Sequence, residues 1–266
     1  MPKFLFRLII TALLLLLLLT GLAWFAPASL LGYWLEKQQA PLQLGLLEGQ
    51  LRSGSARQAR WNGLDLGKLE WQLGHYKFNP PSSQVNIQAS GPQIHAQGTF
   101  RVADEHISSN KLSGYFPAGW LDLQGVAPFI YASGKIQFTF SELDISTNRN
   151  PSAIGLMDWK NAGLNGLLDV SLGNIHFDIN TTENNEQASK RVNNSHKVIV
   201  HFNTEGNTEL QLNGTIKTDG LRYQLDCLAR ATTGRADIIR FLQKAGKAEA
   251  GGAYRIQFKG LLSPGN

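Results

Sequence analysis

Six histidines and one cysteine are the residues of this 266-residue chain best suited to bind a metal ion. Metal ligands carried on one helix or strand usually lie two to four residues apart, because that spacing places them on the same face. The histidines never come that close along the chain: His75, His95, His106, His176, His196 and His201. The spacing therefore predicts no metal site and no cofactor. Only a cluster formed across separate strands is left open.

The remaining reactive residues form no known catalytic motif. The sequence has no nucleophile elbow, phosphate-binding loop, dinucleotide fingerprint or helical pair of zinc-binding histidines. Cys227 alternates in phase with Tyr223 and Leu225, which is typical of a small buried hydrophobic residue. As the only cysteine, it also excludes an intrachain disulfide. We predict no catalytic residue, and we do not expect an enzyme.

The charge balance argues against nucleic-acid binding. Of the 25 basic residues, Lys3 and Arg7 precede residue 36, which leaves 23 basic residues against 20 acidic ones. A nucleic-acid surface requires clustered lysines and arginines. The tightest cluster is Arg52, Arg57 and Arg60, which could face membrane phosphates. The favoured interpretation is that these arginines are exposed residues on one strand and its turn.

The N-terminus predicts a membrane anchor. The 28 residues from Leu8 to Leu35 carry no charge, and a bilayer is spanned by about 20 apolar residues in a helix. Lys3 and Arg7 favour a cytoplasmic N-terminus. We therefore assign residues 1–7 to a cytoplasmic tail, 8–28 to a transmembrane anchor, 29–40 to a juxtamembrane helix and 41–266 to a β-rich domain across the membrane.

A cleaved signal peptide is the competing interpretation. Ala26-Pro27-Ala28 fits the small-x-small pattern that a signal peptidase recognises. However, the apolar run exceeds the roughly 7–15 residues usual in a signal peptide. Helical spacing also continues beyond this point until Ala40-Pro41. We favour the uncleaved anchor, and both interpretations place the rest of the chain outside the cytoplasm.

Beyond residue 41 the apolar residues recur with a period of two. This alternation predicts strands with one apolar face and one wet face, which belong to antiparallel sheets. It is found in segments 85–89, 94–102, 136–140, 168–172, 175–179, 198–202, 210–216, 221–227 and 254–258. The predicted fold class is therefore mainly β: after the transmembrane helix, a curved antiparallel sheet forms an open groove or incomplete barrel, with one or two short helices.

Three local departures from this alternation carry predictions of their own. The apolar phase slips at Gly67-Lys68, which predicts a β-bulge or tight turn. Residues 235–245 follow helical spacing, with Thr233 as the predicted cap and Gly246 as the predicted end. A second helical turn is predicted around residues 150–157.

The block that begins at Gly49 resembles a known family. Residues 49–56 (GQLRSGSA), followed by Leu66-Gly67, Leu69, Trp71 and Leu73, resemble the N-terminal signature of the type II secretion system protein N family (general secretion pathway protein N). That signature reads approximately G-x-L-W-x-G-x-A and then L-G-x-L-x-W-x-L. The end of the chain is also similar to the family, through Gly214, Tyr223, Leu225, Leu242, Gly246, Gly252, Tyr254, Ile256 and Gly260.

The resemblance implies a single-pass protein of the bacterial inner membrane, with a periplasmic β-rich domain. It implies an accessory component without enzymatic activity, whose partners are other type II secretion subunits of the inner membrane or the outer-membrane pore. The family is also distantly similar to AsmA-like proteins, whose curved sheets form an open groove for lipid. Three functions remain open: an assembly component, a lipid-binding or lipid-transfer module, and a secreted enzyme cleaved before Ser29.

The signature block contains three candidate partner contacts. Trp61 and Trp71 are bulky aromatic residues beside glycine turns, which could anchor a partner. Trp71 is in phase with Leu69 and Leu73, so the core is its favoured position. Arg52 is the third candidate, and it departs from the aromatic residue usual at that place in the family.

Overall fold

The computed structural model describes residues 26–78, 81–103, 106–121, 129–146, 149–166, 169–183, 196–218 and 222–261. It contains two α-helices, α1 (Ser29–Lys37) and α2 (Ala236–Ala245), and two 3₁₀ turns, Ala118–Trp120 and Ala250–Gly252. Its fourteen strands are β1 (Leu42–Gly49), β2 (Ser53–Trp61), β3 (Leu64–Phe78), β4 (Pro81–Ser90), β5 (His95–Ala103), β6 (His106–Pro117), β7 (Ile130–Ser146), β8 (Arg149–Gly166), β9 (Val170–Glu183), β10 (His196–Glu205), β11 (Leu210–Thr218), β12 (Arg222–Ala231), β13 (Lys247–Ala248) and β14 (Ala253–Leu261).

All fourteen strands form one open antiparallel sheet, as the period-two alternation predicted. The strands are neighbours in chain order from β1 to β12, after which β14 pairs with β12 and β13 lies outermost. Each connection is therefore local except the one that carries α2. Short polar turns favour this arrangement because an antiparallel pair needs only a tight hairpin between its strands.

The pairing register places apolar residues side by side across the whole sheet. Directly paired residues share a face, so a chain of pairings defines a row. One such row holds Leu47, Ala56, Leu69, Ala89, Ala96, Gly114, Phe138, Met157, Phe177, Phe202, Gly214, Cys227 and Ile256. We call the surface that contains this row the apolar face.

The opposite surface, the polar face, carries a nearly uniform polar row. It holds Glu48, Ser55, Glu70, Gln88, Gln97, Ser113, Thr139, Leu156, Asp178, His201, Thr215, Asp226 and Gln257. Leu156 is the single apolar member, and 49% of it is exposed. The sheet therefore has one face to bury and one to hydrate.

Glycines in the apolar face lie beneath aromatic rings. Gly214 is paired with Phe202, and a Cβ atom at Gly214 would lie 2.6 Å from Phe202 Cζ. Gly155 stands in the same relation to Phe140, with Cδ1 of that ring at 2.7 Å. The rings therefore cover backbone that would otherwise be exposed.

Two helices cover parts of the apolar face. The buried side chains of α2, Ile238 and Leu242, are completely inaccessible and belong to the main core cluster, which includes Trp159, Leu172 and Cys227. Near α1, Ala28 and Leu31 pack in a smaller cluster around Ala56 and Trp71. The expectation of one or two short helices is confirmed.

The local predictions had mixed outcomes. The slip at Gly67 is a β-bulge between β2 and β3, where Gly67 has a φ of +71° and its amide donates to Asp65 Oδ1. The helix ends before Gly246 as predicted, but Thr233 does not cap it: Arg235 is the N-cap residue, and its side chain makes no capping hydrogen bond. The predicted turn around residues 150–157 is wrong, because this segment belongs to β8: it pairs with β7 from Ser152 and also with β9 from Gly155.

The structure describes a helix in the segment that follows the predicted anchor. α1 covers residues 29–37 of the predicted 29–40, and it exposes Leu30, Tyr33 and Trp34. Within the described residues no helix is both long and apolar enough to cross a membrane. The predicted tail, 1–7, and the predicted anchor up to residue 25 lie outside the described residues.

Candidate functional site

Trp71 joins the signature block into one packed unit. Its indole Nε1 donates to the Leu51 carbonyl at 3.0 Å, and only 9% of the residue is exposed. The ring also lies against Gly54, its cross-strand partner, where a Cβ atom would be 2.6 Å from Cζ2. The structure therefore places Trp71 in the core, where the phase of the alternation favoured it.

Arg52 and Trp61 lie at opposite ends of β2. Arg52 precedes the strand and its carbonyl accepts from the Leu73 amide at 2.7 Å, whereas Trp61 is the last strand residue and is 46% exposed. At about 3.3 Å per residue, the strand separates them by more than about 25 Å. The three candidate contacts therefore do not form one site. Of the three clustered arginines, Arg57 forms an ion pair with Glu48 at 2.7 Å.

One end of the apolar face is exposed. Val102, Ile107 and Ile145 are consecutive partners on β5, β6 and β7, and 41%, 45% and 50% of their surfaces remain accessible. They continue the face beyond Phe100, whose partner on β6 is Ser109. We call these three residues the apolar rim. They form a contiguous patch of branched aliphatic side chains open to solvent.

The last long strand, β14, presents an open edge. β13 pairs only with Tyr254 and Arg255, so residues 256–261 have no strand partner on that side among the described residues. The Ala253 carbonyl accepts from the Glu249 amide on the β13 side. Because backbone groups alternate in direction along a strand, the N–H and C=O groups of Gln257 and Lys259 also point outward.

The titratable contacts are structural in character. His176 Nδ1 lies 3.0 Å from Asp158 Oδ1, and this contact, together with Lys160, holds the pKa of Asp158 below its usual value despite partial desolvation. Burial raises the pKa of the Cys227 thiol to about 11, so the thiolate nucleophile is disfavoured at neutral pH. The described residues contain no group of three metal-ligating side chains.

Arg235 ties the start of α2 to two loops. It donates to the Asp169 carbonyl at 2.7 Å and to Glu209 Oε1 at 3.0 Å, and it pairs with Asp237 in the first turn. The Ser171 amide also donates to Glu209, at 2.9 Å. The amide first, and then the guanidinium, lower the pKa of Glu209. This network positions α2 over the apolar face.

Two cavities open mainly on polar side chains. One, of about 460 Å³, includes Glu70, Gln72, Asn86 and Lys111. The other, of about 420 Å³, lies at the ends of β10, β11, β12 and β14 and is lined by four cationic residues. Sequence reasoning missed the second cavity because its cations are spread over residues 197–259. Only the strand register brings them together.

A family model described as "Type II secretion system (T2SS), protein N" matches residues 40–257. The match covers most of the chain: it includes β1 to β13 and ends within β14. No curated protein and no solved structure matches the chain significantly.

Proposed function

The chain belongs to the type II secretion system protein N family, and from this membership we propose that it is a non-enzymatic accessory component that binds other secretion subunits in the periplasm. The single observation that supports binding is the open edge of β14. An unpaired edge offers backbone donors and acceptors to an extended segment of a partner, which adds as a further strand. The family match supports the accessory role in secretion.

The direction of the backbone groups allows a selective test of strand addition. Gln257→Pro removes an outward N–H and leaves the groups that pair with β12 in place, since proline is tolerated on an edge strand whose N–H faces solvent. The Gln257 side chain also donates to Asp226 at 3.1 Å. Gln257→Ala is therefore the matched control, because it loses that side-chain bond and keeps the amide.

The experiment combines both variants with in-cell crosslinking from a photoreactive residue at position 259. We expect adducts with secretion subunits in the parent and in Gln257→Ala, and at least severalfold fewer in Gln257→Pro at equal abundance. Secretion of a reporter substrate should fall in parallel. Equal adducts in both variants, or adducts that persist when the other secretion subunits are deleted, would reject the edge as the binding surface.

Of the predicted contact residues, Trp61 is the one best placed to touch a partner. It is exposed at the end of β2, whereas Trp71 is enclosed. Arg52 lies in the β1–β2 turn near the point where the chain enters the fold, with Pro27 bridged to Gln50. A photoreactive residue at position 61 or 52 tests each contact independently of β14.

We further propose that the chain is anchored in the inner membrane by residues 8–28, with residues 1–7 in the cytoplasm and residues 41–266 in the periplasm. The apolar, uncharged sequence of this segment supports the anchor. The exposed Tyr33 and Trp34 of α1 also suit a membrane interface. The mass of the protein purified from membranes should include residue 1. A mature chain that begins at Ser29 would instead support the cleaved form and a secreted protein.

A lipid-binding module is the second candidate function, favoured by the apolar rim. Three exposed aliphatic residues that continue an apolar face fit an acyl chain better than a polar ligand. Photoreactive residues at 107 and 145 should then trap phospholipid. The matched polar-face positions 108 and 144, which pair with each other, should not. Equal lipid labelling on both faces would count against this function.

A further inference from the structure

The cavity at the ends of β10, β11, β12 and β14 is strongly cationic. Its lining includes Lys197, Lys217, Arg222 and Lys259, and no described carboxylate lines it. The volume of about 420 Å³ accommodates a phosphate ester with the groups attached to it. Four positive charges around one concave surface raise the local concentration of anions.

The strand register shows that these cations share the polar face. Lys217 and Lys259 both pair across Gln224, so the two lysines lie one strand apart on either side of it, about 10 Å from each other. Lys197 lies two residues before Ile199, the β10 partner of Lys217. Arg222 lies two residues before Gln224. The cations therefore occupy two successive rows at the strand ends.

The three lysines have no counter-charge within the described part of the chain. The nearest carboxylate along β12, Asp226, is engaged elsewhere: Arg255 Nε lies 3.7 Å away, and Gln257 Nε2 donates to it at 3.1 Å. Clustered lysines without acidic neighbours repel one another. An external anion relieves that repulsion.

Two lining residues, Tyr223 and Gly260, belong by register to the apolar face, so the cavity meets that face at the strand ends. The ring of Tyr223 lies directly over Gly260, where a Cβ atom would be 2.5 Å from Cε1. Both residues line the cavity, together with the aliphatic stems of the lysines. The site thus combines cations with an apolar surface, which suits a ligand that carries both a phosphate and an apolar group.

The position of the cavity relative to the N-terminal segment favours a membrane lipid as that ligand. Because the sheet is antiparallel, the start of β10, the end of β11, the start of β12 and the end of β14 lie at the same end of the strands as the end of β1. The chain enters the fold at that end, since the Ala28 amide donates to the Gly49 carbonyl. The preceding segment is the uncharged apolar one.

We propose that this cavity binds the phosphate of an anionic phospholipid headgroup. This assignment goes beyond the proposed function, because it gives the polar face a ligand of its own. Lysines near an anionic membrane surface each contribute about 1 kcal/mol, which is about fivefold in affinity. A nucleic acid would require an extended basic stripe rather than one compact cavity.

The test uses the full chain in a neutral detergent, titrated with dihexanoylphosphatidylglycerol. Dihexanoylphosphatidylcholine and sodium phosphate are the comparison ligands. We expect the phosphatidylglycerol to bind at least about tenfold more tightly than the phosphatidylcholine, since about 1 kcal/mol per lysine is summed over several cations. Phosphate should compete only weakly.

Phosphate bound as tightly as the lipid would instead indicate a free-anion site, and preferential binding of a polyglutamate peptide would indicate an acidic protein ligand. Either result would overturn the proposal.

Charge-reversal variants test whether the lysines of the cavity bind the phosphate. Lys217→Glu with Lys259→Glu should weaken binding by at least about tenfold. The neutral pair Lys217→Gln with Lys259→Gln should give a smaller loss in the same direction. The matched control, Arg230→Glu with Lys247→Glu, carries the same charge change near the opposite strand ends, on exposed residues, and should change affinity by less than about twofold. Unchanged affinity in the folded Lys217/Lys259 variants would reject the site.

Discussion

At the scale of single residues, a few contacts between distant segments hold the sheet and its helices together. Trp71 makes one set of these contacts, because it donates a hydrogen bond to the β1–β2 turn and also packs against α1 and β2. Glu209 makes another, because an amide and a guanidinium from separate segments meet on its carboxylate. Both residues give predictions that a substitution can test.

Replacement of Trp71 should destabilise the fold. Trp71→Ala removes a buried ring and leaves a cavity, so the free energy of unfolding should fall by about 3–5 kcal/mol. Trp71→Phe keeps most of the packing but leaves the Leu51 carbonyl without its donor, a loss of about 1 kcal/mol. Urea denaturation measures both changes. Trp61→Ala, at an exposed position, should cost less than about 1 kcal/mol, and an equal cost at both tryptophans would contradict the assignment.

The lowered pKa of Glu209 predicts a contribution to stability that is lost in acid. Its pKa is lowered in the folded state, so the contribution is complete above the unfolded value near 4.5 and is lost as the pH falls through the folded value. In Glu209→Gln, the unfolding midpoint should therefore change less between pH 6 and pH 3 than in the parent chain. The exposed Glu142→Gln serves as control. A parent-like pH dependence in Glu209→Gln would show that the contact carries no such linkage.

At the scale of elements, α2 acts as a cover for the C-terminal part of the apolar face. Ile238 and Leu242 enter the core, whereas Phe241 on the same helix is 41% exposed. The sequence identified this helix from its spacing alone. It could not identify the cap, because Arg235 is fixed by contacts with residues 169 and 209 that are distant in sequence.

Alanine substitutions on the two faces of α2 should differ in their effect on the free energy of unfolding. Leu242→Ala should lower the free energy of unfolding by about 2–5 kcal/mol, because the side chain is completely buried. Phe241→Ala should lower it by less than about 1 kcal/mol. Thermal unfolding followed by circular dichroism compares them. Equal losses would mean that α2 does not pack through Leu242.

The strands show what sequence can and cannot predict. Alternation identified most strands and their apolar faces, since burial of one face imposes a period of two. It failed around residues 150–157, where the segment pairs with β7 and, from Gly155 onward, also with β9. The edge of β14 and the cationic cavity could not be predicted, because each depends on which strands become neighbours.

At the scale of the whole molecule, the sheet is a sequence of nearest-neighbour pairings. The two longest strands lie at its centre: β7 has 17 residues and β8 has 18. The edges are shorter, with two residues in β13. Stability in such an array is expected to be graded rather than uniform.

Hydrogen exchange should reveal that gradient. Amides of β7–β9 should exchange most slowly, and those of β1, β13 and the outer side of β14 should exchange fastest, because edge pairings open without disturbing the centre. Native-state exchange followed by mass spectrometry measures the order. Uniform protection from β1 to β14 would show instead that the sheet opens as one cooperative unit.

The number of strands limits how copies of the chain can join. From β1 through β12 to β14, thirteen strands alternate in direction, so the first and the last of them point the same way. A copy added head to tail would have to pair these edges in parallel, which is the weaker ladder. In an antiparallel join that keeps both apolar faces on one side, a twofold axis perpendicular to the sheet relates the two copies. Each copy then contributes the same edge, so a join through β14 contains only two copies. Edge-to-edge polymerisation, the characteristic hazard of an open sheet, would therefore need two different twofold joins in alternation, β14 with β14 and β1 with β1.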